Sequence, residues 1–215
     1  MTWENSHTTD LAVRCSSALQ ILQDVLKNRD AISKKDLEEA HGLVIFDVKG
    51  IAVGTGFAHG SGLVMARHAK GDWSLPSSVS RTYVGAGPSL GANLYSSARV
   101  LNKEAFEKCF IEQRWEYGMN LSAAAGPFGA NVDVKGQSLI QHPTRSKGAY
   151  FGVTFGGTLF EENKELNAKF YGKEISAREI LTGKIQVSEA CKNEVRSLWD
   201  FLTSLEKQIE NEPVQ

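Results

Sequence analysis

The chain has 215 residues, 41% of them hydrophobic and 23% charged, which excludes a disordered polymer and is enough for one sizeable core. A formal net charge of −1 argues against a surface that grips nucleic acid, so attraction to an anionic partner has to come from a local basic cluster. Cys15, Cys109 and Cys191 lie far apart, in neither a disulfide framework nor zinc-ligand spacing, and this fits a reducing cytosol. The start, MTWENSHTTD, lacks the basic and apolar regions of a secretory signal, and no run approaches the about 18 apolar residues of a membrane-spanning helix. Membrane contact is therefore expected to be peripheral.

Leu11, Cys15, Ala18, Leu22 and Val25 recur at spacings of three and four, widened by Leu19 and Leu26, and predict an amphipathic helix capped by Thr8, Thr9 or Asp10. Ser33 with Asp36 three residues on reads as a capping box for a second short helix, which Gly42 stops. The period then changes. Leu43–Phe46, Ile51–Phe57 and Leu63–Ala66 read as strands, with His59-Gly60-Ser61-Gly62 as a turn between the last two. Ala69–Asp72 is another turn, and Trp73–Val84 reads as extended, with Pro76 marking an edge or bulge.

Residues 85–101 are ambiguous, because Gly85, Gly87 and Gly91 break a helix while Leu94-Tyr95 and Val100-Leu101 suggest strands. Asn102 caps a short helix through Phe110. A hairpin spans 118–134 around Gly126-Pro127-Phe128-Gly129. Ala149–Phe160 alternates around Gly152, Gly156 and Gly157. A short helix follows with Ser176 and Glu179 as a capping box, and the last helix covers about Ser188–Glu210. Its apolar face is Val195, Leu198, Trp199, Leu202, Leu205 and Ile209. Strands do not alternate with long helices, which disfavours a Rossmann or TIM fold. The expectation is an α+β chain: a glycine-rich, mostly antiparallel β sandwich or barrel-like core with N-terminal helices and a C-terminal helix. It is read as a single domain over 1–215, with a core of about 18–185.

Gly87-Pro88-Ser89-Leu90-Gly91 matches the G-x-S-x-G nucleophile elbow in form. Pro88 precedes the serine, no helix follows, and Asp133 and His142 fall in turns, so a turn is the better reading and no catalytic residue is assigned. Gly54-Thr-Gly56 and Gly60-Ser-Gly62 lack a Walker lysine and a following helix N-terminus, which disfavours a phosphate cradle. His41, His59, His68 and His142 show no metal-ligand spacing. Glu161–Glu165 lacks the spaced oxygens and central glycine of a calcium loop and reads as a solvated turn. No metal or cofactor is expected.

Basic residues concentrate at Arg14, at Lys27 and Arg29, at Lys34-Lys35, and at Arg145 and Lys147. Two readings stand for them. One is a solvated face; the other is contact with anionic head groups beside an interfacial helix. The C-terminal helix face likewise has two readings, a cover for the core or a docking surface for a protein partner.

Ordered motifs from about Ala18 to Ile185 carry a resemblance. Ala40-x-Gly42-Leu-x-Ile45 comes first, then Gly60-Ser-Gly62 with Ala66-Arg67, and Gly71-Asp-Trp73-Ser74-x-Pro76. Ala125-Gly126-Pro127-x-Gly129 follows, then Thr144-Arg145-Ser146-Lys147-Gly148 with Phe151-Gly152-Val153. Asn167, Phe170-Tyr171 and Ile180-Leu181-x-Gly183 close the series. Together they resemble the SYLF-domain family, the lipid-binding module of actin-patch and endosomal adaptor proteins. The resemblance implies a non-enzymatic domain that binds phosphoinositide-containing membranes, and in some members actin. It implies a cytoplasmic, peripheral place at endosomal or plasma membrane. Carried over by position, it points to Arg14 and Lys27, joined by Lys34 and Lys35, as the lipid contact.

Overall fold

The computed structural model describes residues 10–26, 40–69, 71–111, 116–125, 128–134 and 138–210. Helix α1 (Leu11–Leu26) leads to strands β1 (Gly42–Ala66) and β2 (Ser77–Leu101). A short helix α2 (Lys103–Phe106) runs into a wider π-helical turn, Glu107–Ile111. Strands β3 (Glu116–Ala125), β4 (Phe128–Val134) and β5 (Ser138–Glu162) follow, then helices α3 (Lys164–Tyr171), α4 (Ala177–Leu181) and α5 (Glu189–Glu210).

The strands form one antiparallel sheet in the order β1-β2-β5-β3-β4. The α+β, antiparallel expectation holds. The sheet is open, with β1 and β4 at its edges, rather than a closed barrel.

The local signals act as their chemistry dictates. The Asp10 carboxylate accepts from the Ala12 N–H at 2.9 Å at the start of α1. Asn102 caps α2 through the Ala105 N–H at 2.9 Å, and the Ser176/Glu179 capping box opens α4. The predicted hairpin is β3–β4. Two readings are corrected. Glu161–Glu165 is not a solvated turn: Glu161 and Glu162 end β5, and Asn163 caps α3 by accepting from the Leu166 N–H at 3.0 Å. His59–Gly62 is not a turn either but lies inside β1, whose 25 residues pair with β2 along almost their whole length.

That continuity is possible because β1 bends instead of stopping. Gly54, at φ 70°, sits in the register shift between Val53 and Thr55 and takes a left-handed backbone that other residues resist. The two halves of β1 then lie against one another. A Cβ on Gly62 would collide with the Ile45 carbonyl, so only glycine allows that approach. The same bend carries β2 and β5 along, because their middles are in register with it.

Both faces of the sheet are covered at the strand ends, which explains the unbroken apolar run Leu43–Phe46. On one face Leu43, Ile45, Leu63 and Met65 meet Leu11, Cys15, Ala18 and Leu22 of α1 and Val195, Leu198, Leu202 and Leu205 of α5. On the other, Val44, Phe46 and Val48 meet Phe106, Phe110 and Phe160, with Phe46 and Phe160 stacked at 5.7 Å between ring centroids. The apolar stripe of α1 therefore packs on the sheet and α5. Val195, Leu198, Leu202 and Leu205 of the α5 face cover the core and are occupied within the chain.

Candidate functional site

The structure distributes the sequence-predicted basic residues unevenly. Lys27, Arg29, Lys34 and Lys35, and the second N-terminal helix predicted around them, lie outside the described residues. Arg14 is half-buried on α1, around a small recess shared with Asp47 of β1 and Ser61. Burial lowers the Arg14 pKa from its ordinary value, and the neighbouring Asp47 carboxylate opposes that shift. Ser96 donates to Asp47 at 2.5 Å, so this carboxylate is fixed between helix and sheet.

Strand register assembles the rest. Asp47, Ser96 and Arg145 stand opposite one another across β1, β2 and β5. Two residues further along is the row Lys49, Leu94 and Lys147, in which both lysines are exposed. Residues two apart on a strand share a face. Lys49 and Lys147 thus stand one row beyond Asp47, beside which Arg14 sits, with the backbone of Arg145 in the Asp47 row. Lys49 was not among the residues singled out by sequence, because an isolated lysine gains meaning only from cross-strand register.

The Gly71–Pro76 motif proves to be structural. Trp73 bridges to Arg67, and the Ser74 hydroxyl accepts from the Ala66 N–H at 2.9 Å. Tyr171 donates to the Pro76 carbonyl at 2.6 Å, and the Trp199 indole N–H donates to the Ser74 carbonyl at 3.1 Å. Asn167, fully buried, accepts from the Ser78 N–H at 2.8 Å and donates to the Ser77 hydroxyl at 3.0 Å. Residues scattered over the chain therefore converge where β2 begins, and they lock α3 and α5 to the sheet. Ser89 is buried in the middle of β2 and donates to the Gly87 carbonyl at 3.1 Å. It sits on no strand-to-helix turn, the geometry a nucleophile elbow requires.

Among the described residues no three His, Cys, Asp or Glu side chains are placed to hold a metal ion, and no helix is long and apolar enough to cross a membrane. A family model described as "Las17-binding protein actin regulator" (Ysc84) matches residues 82–205. The chain belongs to the Ysc84 family, and the SYLF-domain resemblance is met. It is 33% identical over 169 residues to Protein YSC84 of Saccharomyces cerevisiae, covering 75% of this chain and 36% of that protein. It is 33% identical over 157 residues to LAS seventeen-binding protein 3 of the same yeast, covering 70% of this chain and 34% of that one. To SH3 domain-containing YSC84-like protein 1 of Mus musculus it is 28% identical over 222 residues, covering 97% and 63% respectively. The chain thus spans between about a third and two thirds of the length of these curated relatives. No solved structure matches it.

Proposed function

We propose that this chain is a non-enzymatic adaptor domain that binds phosphoinositide-containing membranes peripherally and recruits actin machinery there. The family assignment supports the actin link, and the relatives' names, Las17-binding among them, favour a protein partner of that machinery. The observation that carries the membrane side is the basic row Lys49–Leu94–Lys147 beside Arg14 and Arg145. Each cation near an anionic surface contributes about 1 kcal/mol, so a handful gives reversible recruitment rather than anchoring. Lys27, Arg29, Lys34 and Lys35 add to the same attraction in this reading, which places the protein in the cytoplasm at endosomal or plasma membrane.

Vesicle sedimentation tests it. Binding should rise with phosphoinositide content and fall with added salt. It should weaken in a Lys49→Glu/Lys147→Glu variant and in an Arg14→Glu/Lys27→Glu/Lys34→Glu/Lys35→Glu variant. Pelleting of both variants at the wild-type level would overturn the site. A docking role for the α5 face is not favoured, since Val195, Leu198, Leu202 and Leu205 are buried in the core.

A further inference from the structure

Beyond the lysine row the same face of the sheet turns apolar, and no described element covers it. Val53 of β1, Leu90 of β2 and Phe151 of β5 stand side by side in register, 79%, 68% and 72% exposed. Ile51 precedes them, while Phe57 with Val84, and Phe155, continue the surface on the far side of the bend at Gly54. Large apolar side chains scattered singly on a surface call for no explanation, but a contiguous exposed group of seven at one bend does. The opposite side of the same strands is filled by small residues, by Tyr150 and by Tyr83, whose hydroxyl hydrogen-bonds Thr154 at 2.6 Å. The exposed side chains therefore have no room inward.

Charge selects the occupant. Segments 48–58, 83–95 and 147–157, the β1, β2 and β5 parts of this bend, contain no aspartate or glutamate, and their charged residues are Lys49 and Lys147. Those lysines stand four residues from Val53 and Phe151 on the same strands, roughly 13 Å at the rise of an extended chain. An interfacial apolar face sits about 5–10 Å into the boundary between head groups and acyl chains. Lysines set somewhat further back than that depth, on flexible four-carbon stems that span the difference, meet lipid phosphates when the ridge is immersed. A protein partner would have to supply a matching groove with acids at one margin, whereas an anionic bilayer offers both features without a fixed shape.

We infer that the bend carrying Val53, Leu90 and Phe151 inserts into the head-group boundary of an anionic lipid bilayer, with Lys49 and Lys147 pairing with phosphates behind it. The inference rests on the membrane reading above but assigns a second, apolar contact that head-group recognition alone does not need.

The test uses three vesicle types: phosphatidylcholine alone, with phosphatidylserine, and with a phosphoinositide. A Phe151→Trp variant on vesicles of brominated lipid should show quenched, blue-shifted fluorescence relative to wild type. A Val53→Ser/Leu90→Ser/Phe151→Ser variant should keep its melting transition, because these side chains are exposed, yet lose about tenfold or more in binding to both anionic vesicle types. Phosphoinositide-dependent pelleting with no quenching at position 151 would overturn this inference and leave the head-group reading standing. Quenching on phosphatidylserine vesicles with no phosphoinositide preference would support the inference and overturn that preference. A wild-type dimer that the triple serine variant dissociates would assign the surface to a second copy and overturn it. Absence of binding to every vesicle would overturn both.

Discussion

The backbone N–H of Arg67 donates to the carbonyl oxygen of His41 at 3.0 Å, so the residues that flank the two ends of β1 meet. A strand of 25 residues at about 3.3 Å per residue would otherwise span about 80 Å. The closure shows that β1 doubles back at Gly54. One consequence is that helices cover the strand ends while the bend projects with its apolar side chains exposed. Core, basic row and apolar ridge thus follow one another along the same strands.

The glycines of this bend should separate two kinds of cost. Gly62→Ala places a methyl group against the Ile45 carbonyl and should destabilise by about 1–3 kcal/mol or more through overpacking. Gly54→Ala meets nothing within 4 Å but carries φ 70°, and should lose about 1–2 kcal/mol to backbone strain alone. Urea unfolding of both variants checks this, and an unchanged midpoint for Gly62→Ala would refute the close approach.

Asn167→Ala should remove about 2–3 kcal/mol, because it leaves the buried Ser78 N–H without its acceptor. The expected signature is a lower denaturant midpoint at unchanged slope. An unmoved midpoint would show that Asn167 does not hold α3 to β2.

Deleting residues 188–215 should abolish cooperative unfolding rather than release a monomer from a dimer. Leu198 and Leu202 are buried against α1 and the sheet, and Leu198→Ala alone should lose about 2–5 kcal/mol. Light scattering with a thermal melt distinguishes the outcomes. A folded truncated chain with changed mass would return the α5 face to the docking reading.

Thiol chemistry should be selective. Cys15 and Cys109 are buried and Cys191 is half-buried, so one equivalent of alkylating reagent should react quickly, at Cys191, and the others only after unfolding. Burial, reinforced by Glu194 and Asp10, pushes the Cys15 thiol up from its ordinary 9.0 to about 12. A pKa raised by folding means the folded state holds the proton more tightly. The contribution to stability is complete below the unfolded thiol's pKa and is lost as pH rises through the folded value. Between pH 9 and 12 the wild type should therefore lose stability more steeply than Cys15→Ala. Parallel slopes would contradict the buried thiol.

Elements with local chemistry were legible in the sequence. The 3–4 spacing of Leu11, Cys15, Ala18 and Leu22, the caps at Asn102 and Ser176, and the β3–β4 hairpin all rest on neighbours within a few residues. The doubling of β1 was not, because Gly60 and Gly62 in sequence look like a turn, and only the approach of Ile45 and Val48 gives them another purpose. The site was less legible still. Lys147 was found through its basic neighbourhood, but Lys49 joins it only through pairing across Leu94. The exposed Val53, Leu90 and Phe151 read as ordinary strand residues, since alternation marks two faces without saying which one a helix covers.

The most direct test of the adaptor account is co-flotation of actin filaments with phosphoinositide vesicles in the presence and absence of the chain. The account predicts that filaments rise with the vesicles only when the chain is present, and that added salt or the Lys49→Glu/Lys147→Glu variant releases them. Filaments that stay at the bottom of the gradient with the chain present, whether or not the chain itself floats, would contradict it.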